Sequence, residues 1–432
     1  MANPQSKTID GEVRVSIDSC ASALAGPPTT ACENPDAIGN RGASRINHLF
    51  YIVDWLPPDF GAVGQYGAIF ARDLAVAGRD VRLIGLTTGD HSTTRELLPN
   101  GKMFETTRIH SSIYEKSGFV TRLLWTCRTN TRLVYEVIRD FRSSQAELIF
   151  TGAPPFMLFF IIFAQIIRNT RLVYRITDFY PEVLIAELGR RPWLLAIQRL
   201  IWILRRRVDA FEVLGDDQRT ILIAGGIPPD RIYLKRDISP VEIRGDEVPI
   251  ETPRELTGFQ ILLYSGNYGV AHDSDTVIGG LIRHHSEGAG TFGLWLNAIG
   301  SKADLVEQLL REAGVPVVRS KPGPLEELPR LLVAADAHLI SLRPEFSGIV
   351  LPSKVFGCLA SQRPVLFVGP ATSDIHVLCR DAGLPAYEHV EVGDIDGVSR
   401  ALDRLARCKQ SRVFSSCPRL TGCLRRGPRT IC

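Results

Sequence analysis

From Arg45 onward, short runs rich in β-branched and aromatic residues alternate with longer stretches of helical periodicity, and this alternation constrains the fold more than any other feature. Parallel strands need long crossovers, usually helical, so the pattern predicts an α/β fold with helices on both faces of a parallel sheet. Strands are expected at 46–53, 81–86, 148–150, 172–176 and 210–214, with a helix at 67–77 closing on Gly78. The stretch between Leu234 and Gly258 is polar and rich in Pro and Glu, without hydrophobic periodicity, and reads as a linker. A second series follows, with strands at 260–264, 293–299, 337–341 and 364–368 and helices at 303–313 and 326–335. A chain of 432 residues also exceeds what one hydrophobic core usually holds. The expected organisation is therefore a flexible extension (1–44), a Rossmann-like domain (45–235), a linker (236–258), a second Rossmann-like domain (259–407) and an atypical tail (408–432). Two doubly wound domains so joined place a cleft at the carboxyl ends of both sheets, where such folds bind ligands.

Composition narrows the function. Net charge is only +3, which argues against a global basic field for nucleic acid. The nine cysteines are odd in number and show no CxxC spacing, so neither a disulfide framework nor a structural zinc site is expected, and a reducing cytoplasm suits them. Residues 1–44 lack a basic start followed by an apolar block, so no secretory signal is expected. The longest apolar block, 156–167, falls short of the roughly 20 residues that span a bilayer and predicts a buried helix.

Four segments carry candidate chemistry. After the first strand come Asp54 and a loop with Gly61 and Gly64, where glycines permit close backbone approach and a helix start offers free N–H groups, or which simply turns the chain. The corresponding loop of the second series places Gly266 and Asn267 toward a phosphate. His272 there either adds a donor or packs beside the helix start, and Asp273 and Asp275 suit capping better than metal binding. In Leu351-Pro-Ser-Lys354, Ser353 and Lys354 fall at a helix start, where a lysine is unfavourable unless an anion lies nearby. Asp178 and Glu182, in Asp178-Phe-Tyr-Pro-Glu182, follow a strand on the side of the cleft. Asp178 can act on an acceptor hydroxyl, or cap a helix; Glu182 is expected on the acceptor side. The segment 193–207, apolar and Trp-containing before a run of three arginines, suits either a core helix or contact with a membrane surface.

These residues, in this order, resemble the family 4 glycosyltransferases of GT-B fold, in particular the bacterial enzymes of O-antigen, capsule and colanic acid synthesis. The likeness runs from about Ile46 to about Leu405: Pro57-Pro58-Asp59 with Gly61 and Gly64, Asp178 to Glu182, Tyr264 to Asn267, His272-Asp273, Pro352 to Lys354, and Arg363 to Val365. The resemblance implies a nucleotide-diphosphate sugar, most simply a UDP-sugar, held mainly by the second domain. It further implies retention of configuration, no cofactor or required metal, and a saccharide acceptor, expected to be lipid-linked. It places the protein in the cytoplasm or peripherally at the inner face of the membrane. The chain departs from the family where a pair of glutamates would touch the donor, since Ile349 and Gly357 stand there, and Gln362 replaces a usual glycine. The segment 408–432 is also unlike the closing helix of such folds, and an altered reading frame is expected there. A nucleotide-sugar 2-epimerase and a non-catalytic nucleotide-sugar binder are the alternatives.

Overall fold

The computed structural model describes residues 48–59, 61–112, 119–140, 146–300 and 302–415. The expected extension at 1–44 and the tail beyond Ser415 lie outside these.

The chain forms two sheets. The first is built from β1 (His48–Trp55), followed by α1 (Ala62–Val76), β2 (Asp80–Thr87), β3 (Ser92–Leu97), β4 (Met103–His110) and α2 (Phe119–Ile138). It continues through β5 (Ala146–Thr151), α3 (Met157–Arg168), β6 (Arg171–Ile176), α4 (Glu182–Leu188), α5 (Pro192–Arg205), β7 (Ala210–Val213), α6 (Asp216–Ala224) and β8 (Ile232–Leu234). The spatial order is β3-β4-β2-β1-β5-β6-β7-β8, parallel except for β3 against β4. Strand β1 shows why its sequence is apolar without alternation. Leu49, Tyr51 and Val53 pack on the α1 side, Phe50 and Ile52 into the cluster formed with α2, α3 and α5, so both faces are dry. The antiparallel edge pair β3–β4 escaped the sequence reading because β3 is exposed throughout and carries no buried period.

The second sheet contains β9 (Gln260–Asn267), α7 (Asp275–Ser286), β10 (Phe292–Ile299), α8 (Ala303–Glu312), β11 (Val317–Ser320), α9 (Leu328–Ala334) and β12 (Ala337–Ser341). It ends with α10 (Lys354–Ala360), β13 (Val365–Val368), α11 (Asp374–Asp381), β14 (Tyr387–Val390) and α12 (Ile395–Ser415). All its strands are parallel, in the order β11-β10-β9-β12-β13-β14. The strand order reverses beside β1 in the first sheet and beside β9 in the second, and a crevice opens at the carboxyl ends of such strands. This is an α/β fold of GT-B type.

Three sequence expectations change. Helix α12 runs on to Ser415 and packs against α7, so a boundary at 407 falls inside a helix. Helix α3 is not buried all round: it lies along a sheet, which covers only one stripe of it, and Phe163, Ile166 and Ile167 face outward. Helix α1 starts at Ala62, before the expected Gly67, with Gly61 as its extended N-cap. Among the described residues, no helix is long and apolar enough to cross a membrane.

Candidate active site

A cavity of about 820 Å³ lies between the carboxyl ends of the two sheets and is lined from both. The two halves touch at several points, with Asp374 N–H donating to Asp217 at 3.1 Å at one of them, and a backbone pairing lies beside the cavity. Phe179 N–H donates to the Ile349 carbonyl at 3.0 Å, and Asp178 and Val350 form an isolated antiparallel bridge. Of the residues expected at the site, Gly61, Asp178, Gly266, Asn267, His272, Ser353 and Lys354 line this cavity, whereas Gly64 and Glu182 do not.

Gly64 has another task. A Cβ there would fall inside the Trp55 carbonyl, so the glycine lets α1 approach the end of β1. Glu182 is also structural. Arg205, fully buried on α5, donates to its two carboxylate oxygens at 2.6 and 2.9 Å and to the Tyr180 carbonyl at 3.0 Å. A buried bidentate pair of this kind fixes α4 against α5 and leaves no carboxylate for an acceptor.

On the second-domain wall, Lys354 opens α10 with Ser353 as its N-cap. Its Nζ is enclosed and has no hydrogen-bond partner, and sits 3.4 Å from the centre of the Tyr264 ring. Burial holds its pKa well below that of an ordinary lysine. The stem reaches toward the carboxyl end of β9: a Cβ on Gly266 would lie 3.8 Å from Lys354 Cε. Gly266 adopts φ +120°, a conformation closed to most side chains, and this strand end is tied by Tyr264 Oη donating to the Asn267 carbonyl at 2.9 Å. His272 Nδ1 donates to the Ser341 carbonyl at 2.6 Å. Burial first, then the nearby Lys354 charge, drives its pKa well below the usual value, so it faces the cavity as a neutral ring. Asp273 accepts from Thr276 N–H at 3.1 Å and caps α7, with Asp275 in the first turn, as capping chemistry expects.

On the first-domain wall, burial raises the Asp178 carboxyl from 3.8 to about 6. Asp54, at the end of β1, was not singled out as a site residue. Burial raises it to about 7, opposed by the Trp55 backbone N–H and with a further upward push from Asp178, and its Oδ1 has no partner. The sequence signal was available: an acidic residue closing the apolar run of a parallel strand. Arg175 was missed too. It lies in the cavity floor, bonded to Glu212 at 2.9 Å and to Asp237 at 2.7 Å, and a charged residue inside the apolar run of β6 was the clue. Asp237 comes from the expected linker, so that segment also builds the site.

The family departures have a visible outcome. Gly357 lines the cavity without a side chain, Ile349 supplies its carbonyl to Phe179, and Glu345 is exposed beside Arg343 at 3.5 Å, away from the cavity. Gln362 sits at φ +51°, which explains why glycine suits that position.

No protein-family model matches this sequence, and no curated protein matches it. Solved structures do. WaaG, a glycosyltransferase involved in lipopolysaccharide biosynthesis, superposes with a TM-score of 0.53 at 14% identity, covering 86% of this chain and 96% of its own. Sucrose-phosphate synthase from Thermosynechococcus elongatus gives 0.59 at 12% identity, covering 86% and 92%. A UDP-N-acetylglucosamine 2-epimerase from Listeria monocytogenes, described as putative, gives 0.52 at 11%, covering 84% and 89%. These likenesses establish the two-domain GT-B fold.

Proposed function

We propose that the chain is a glycosyltransferase of family 4 type that moves a hexose or N-acetylhexosamine from a nucleotide-diphosphate sugar, with UDP as the expected nucleotide, to a lipid-linked saccharide during surface polysaccharide synthesis. The observation that carries this reading is Lys354: an enclosed amine without a hydrogen-bond partner, over the Tyr264 ring and beside Gly266, is suited to meet an anion in the cavity. On binding, Lys354 neutralises charge on the diphosphate, while the Gly266–Asn267 end of β9 lets the phosphates approach the backbone. The bond from the sugar C1 to the phosphate oxygen breaks, and a bond from C1 to the acceptor oxygen forms on the same face. Asp178, when ionised, accepts a hydrogen bond from the acceptor hydroxyl and orients it. The departing diphosphate takes the acceptor proton, and no metal or other cofactor is invoked. The acceptor's lipid places the enzyme in the cytoplasm at the inner face of the membrane.

The test is incubation with labelled UDP- and GDP-sugars, with and without a lipid extract. Transfer of label to lipid with retained anomeric configuration is the expected result; no transfer and no donor hydrolysis with any pair would refute the reading. An epimerase with a similar fold makes one control necessary. Conversion of the sugar without acceptor would assign the cavity to epimerisation instead.

A further inference from the structure

The most apolar segment of the chain is only half covered. On α3, Leu158, Ile161 and Ile162 enter the core, whereas Phe163, Ile166 and Ile167 are 65%, 64% and 62% exposed. Helix α5 packs beside α3 and turns Trp193, Leu200 and Ile203 outward, at 42%, 47% and 54% exposed. Both sets follow helical spacing, so each forms one ridge, and adjoining ridges make a patch rather than scattered exposed residues.

The charge around this patch has one sign. Neither helix contains Asp or Glu. Arg199, Arg206 and Arg207 are exposed on or just after α5 and make no ion pair among the described residues. Among carboxylates on neighbouring segments, Glu182 is taken up by Arg205, Glu187 is exposed on α4, and Asp209 is engaged by the Leu172 N–H at 2.8 Å and Gln165 at 3.2 Å. A second copy of the chain laid on this face would oppose arginine to arginine. An anionic surface that also accepts apolar side chains would satisfy both features.

The same helices are bonded to the cleft. Arg205, on the inner side of α5, holds Glu182 and the Tyr180 carbonyl, and Phe156, directly before α3, has its ring 6.2 Å from that of Tyr180, a cavity-lining residue.

We propose that α3 and α5 together form a docking face for an anionic lipid bilayer. Phe163, Ile166, Ile167 and Trp193 enter the headgroup region while Arg199, Arg206 and Arg207 meet lipid phosphates. The inference rests on the lipid-borne acceptor read above and assigns the surface that meets the lipid. The full chain should sediment with vesicles of phosphatidylcholine plus phosphatidylglycerol, less so at high salt, and poorly with phosphatidylcholine alone. The pairs Ile166→Ser/Ile167→Ser and Arg206→Glu/Arg207→Glu should each lower partitioning by about tenfold or more. Because these side chains are exposed, melting temperature and UDP affinity should stay unchanged. No sedimentation with either vesicle, or sedimentation that both pairs leave intact, overturns the proposal. So does a concentration-dependent dimer that Ile166→Ser/Ile167→Ser abolishes while vesicle binding persists, which would give the face to a second copy. Vesicle binding that responds as expected in a protein that binds no nucleotide would refute the proposed function and leave the docking face standing.

Discussion

The strand-to-helix junctions at the ends of β1 and β9 occupy matching places at the reversal points of their sheets, yet they have opposite interiors. After β1, Gly64 is pressed against the Trp55 carbonyl, and the Asp54 carboxyl is buried with Oδ1 unpartnered. At the end of β9, the nearest atom to a Cβ on Gly266 would be Lys354 Cε, 3.8 Å away. Two glycine loops with similar sequence patterns therefore differ in what the glycine does. In the first it closes the packing of helix on strand; in the second it keeps backbone open beside an unpaired amine. A strand, a glycine loop and a helix establish the possibility of an anion site, and only the space around the glycine decides whether one exists.

The largest separation of the two loops should come from Gly64→Ala. The new methyl has backbone on its far side and no flexible side chain to displace, so α1 must move off β1. A loss of about 4 kcal/mol or more in urea unfolding is expected, and failure to fold would agree with it. A stability change under about 1 kcal/mol would show that the first loop is as open as the second.

Lys354→Met comes next and should act in two directions. Folding holds the Lys354 pKa well below 10.5, so the folded state binds that proton less tightly than the unfolded chain. The resulting penalty is present at neutral pH and vanishes only above the ordinary lysine range, so Met should raise stability at pH 7. Titration calorimetry with UDP should show affinity falling by about 10- to 100-fold, the worth of a charge-assisted hydrogen bond. Equal UDP affinity in both proteins would place the diphosphate elsewhere.

These loops also show how far the sequence could be read. Alternation of apolar runs located the central strands of both sheets, which are buried on both faces. It missed β3, β4, β8, β11 and β14, which lie at or next to the sheet edges, and it overburied α3, because an apolar composition does not say how much of a helix its neighbours cover. Lys354, Gly266, Asn267 and Asp178 were legible as residues that line the cavity, since each lies at the end of a strand or start of a helix. Glu182 was misplaced because its partner, Arg205, lies on another helix, and a motif read along the chain cannot show a pairing across it. Asp54 and Arg175 were overlooked although each is a charged residue in or at the end of an apolar strand; how far each is enclosed is supplied by the folded arrangement.

Asp54→Asn should have a moderate effect confined to one pH window. Its carboxyl rises from 3.8 to about 7 on folding, so the folded state holds a proton that the unfolded chain has released. Stability is unaffected by this group at low pH, where both states are protonated, and is eroded as pH climbs through that interval. Removing the charge should leave stability near pH 4 little changed and raise it at pH 8 by a few kcal/mol, up to about 4 for the full shift. Thermal melts across that range decide the matter. Parallel curves for the two proteins would mean that Asp54 is solvated and that the first loop is not closed at all.

Gly266→Ala is the smallest expected change and the most discriminating partner for Gly64→Ala. Space is available for the methyl, so the cost should come from φ +120° alone, about 1 kcal/mol in unfolding. UDP affinity should nevertheless fall, because the methyl would fill room beside Lys354 that the open loop leaves for the diphosphate. A modest loss of stability joined to a clear loss of binding is thus the signature of the second loop, and a large loss of stability without loss of binding that of the first. If Gly266→Ala behaved like Gly64→Ala, the glycine at the end of β9 would be another packing residue, and the anion site would reduce to Lys354 and the start of α10.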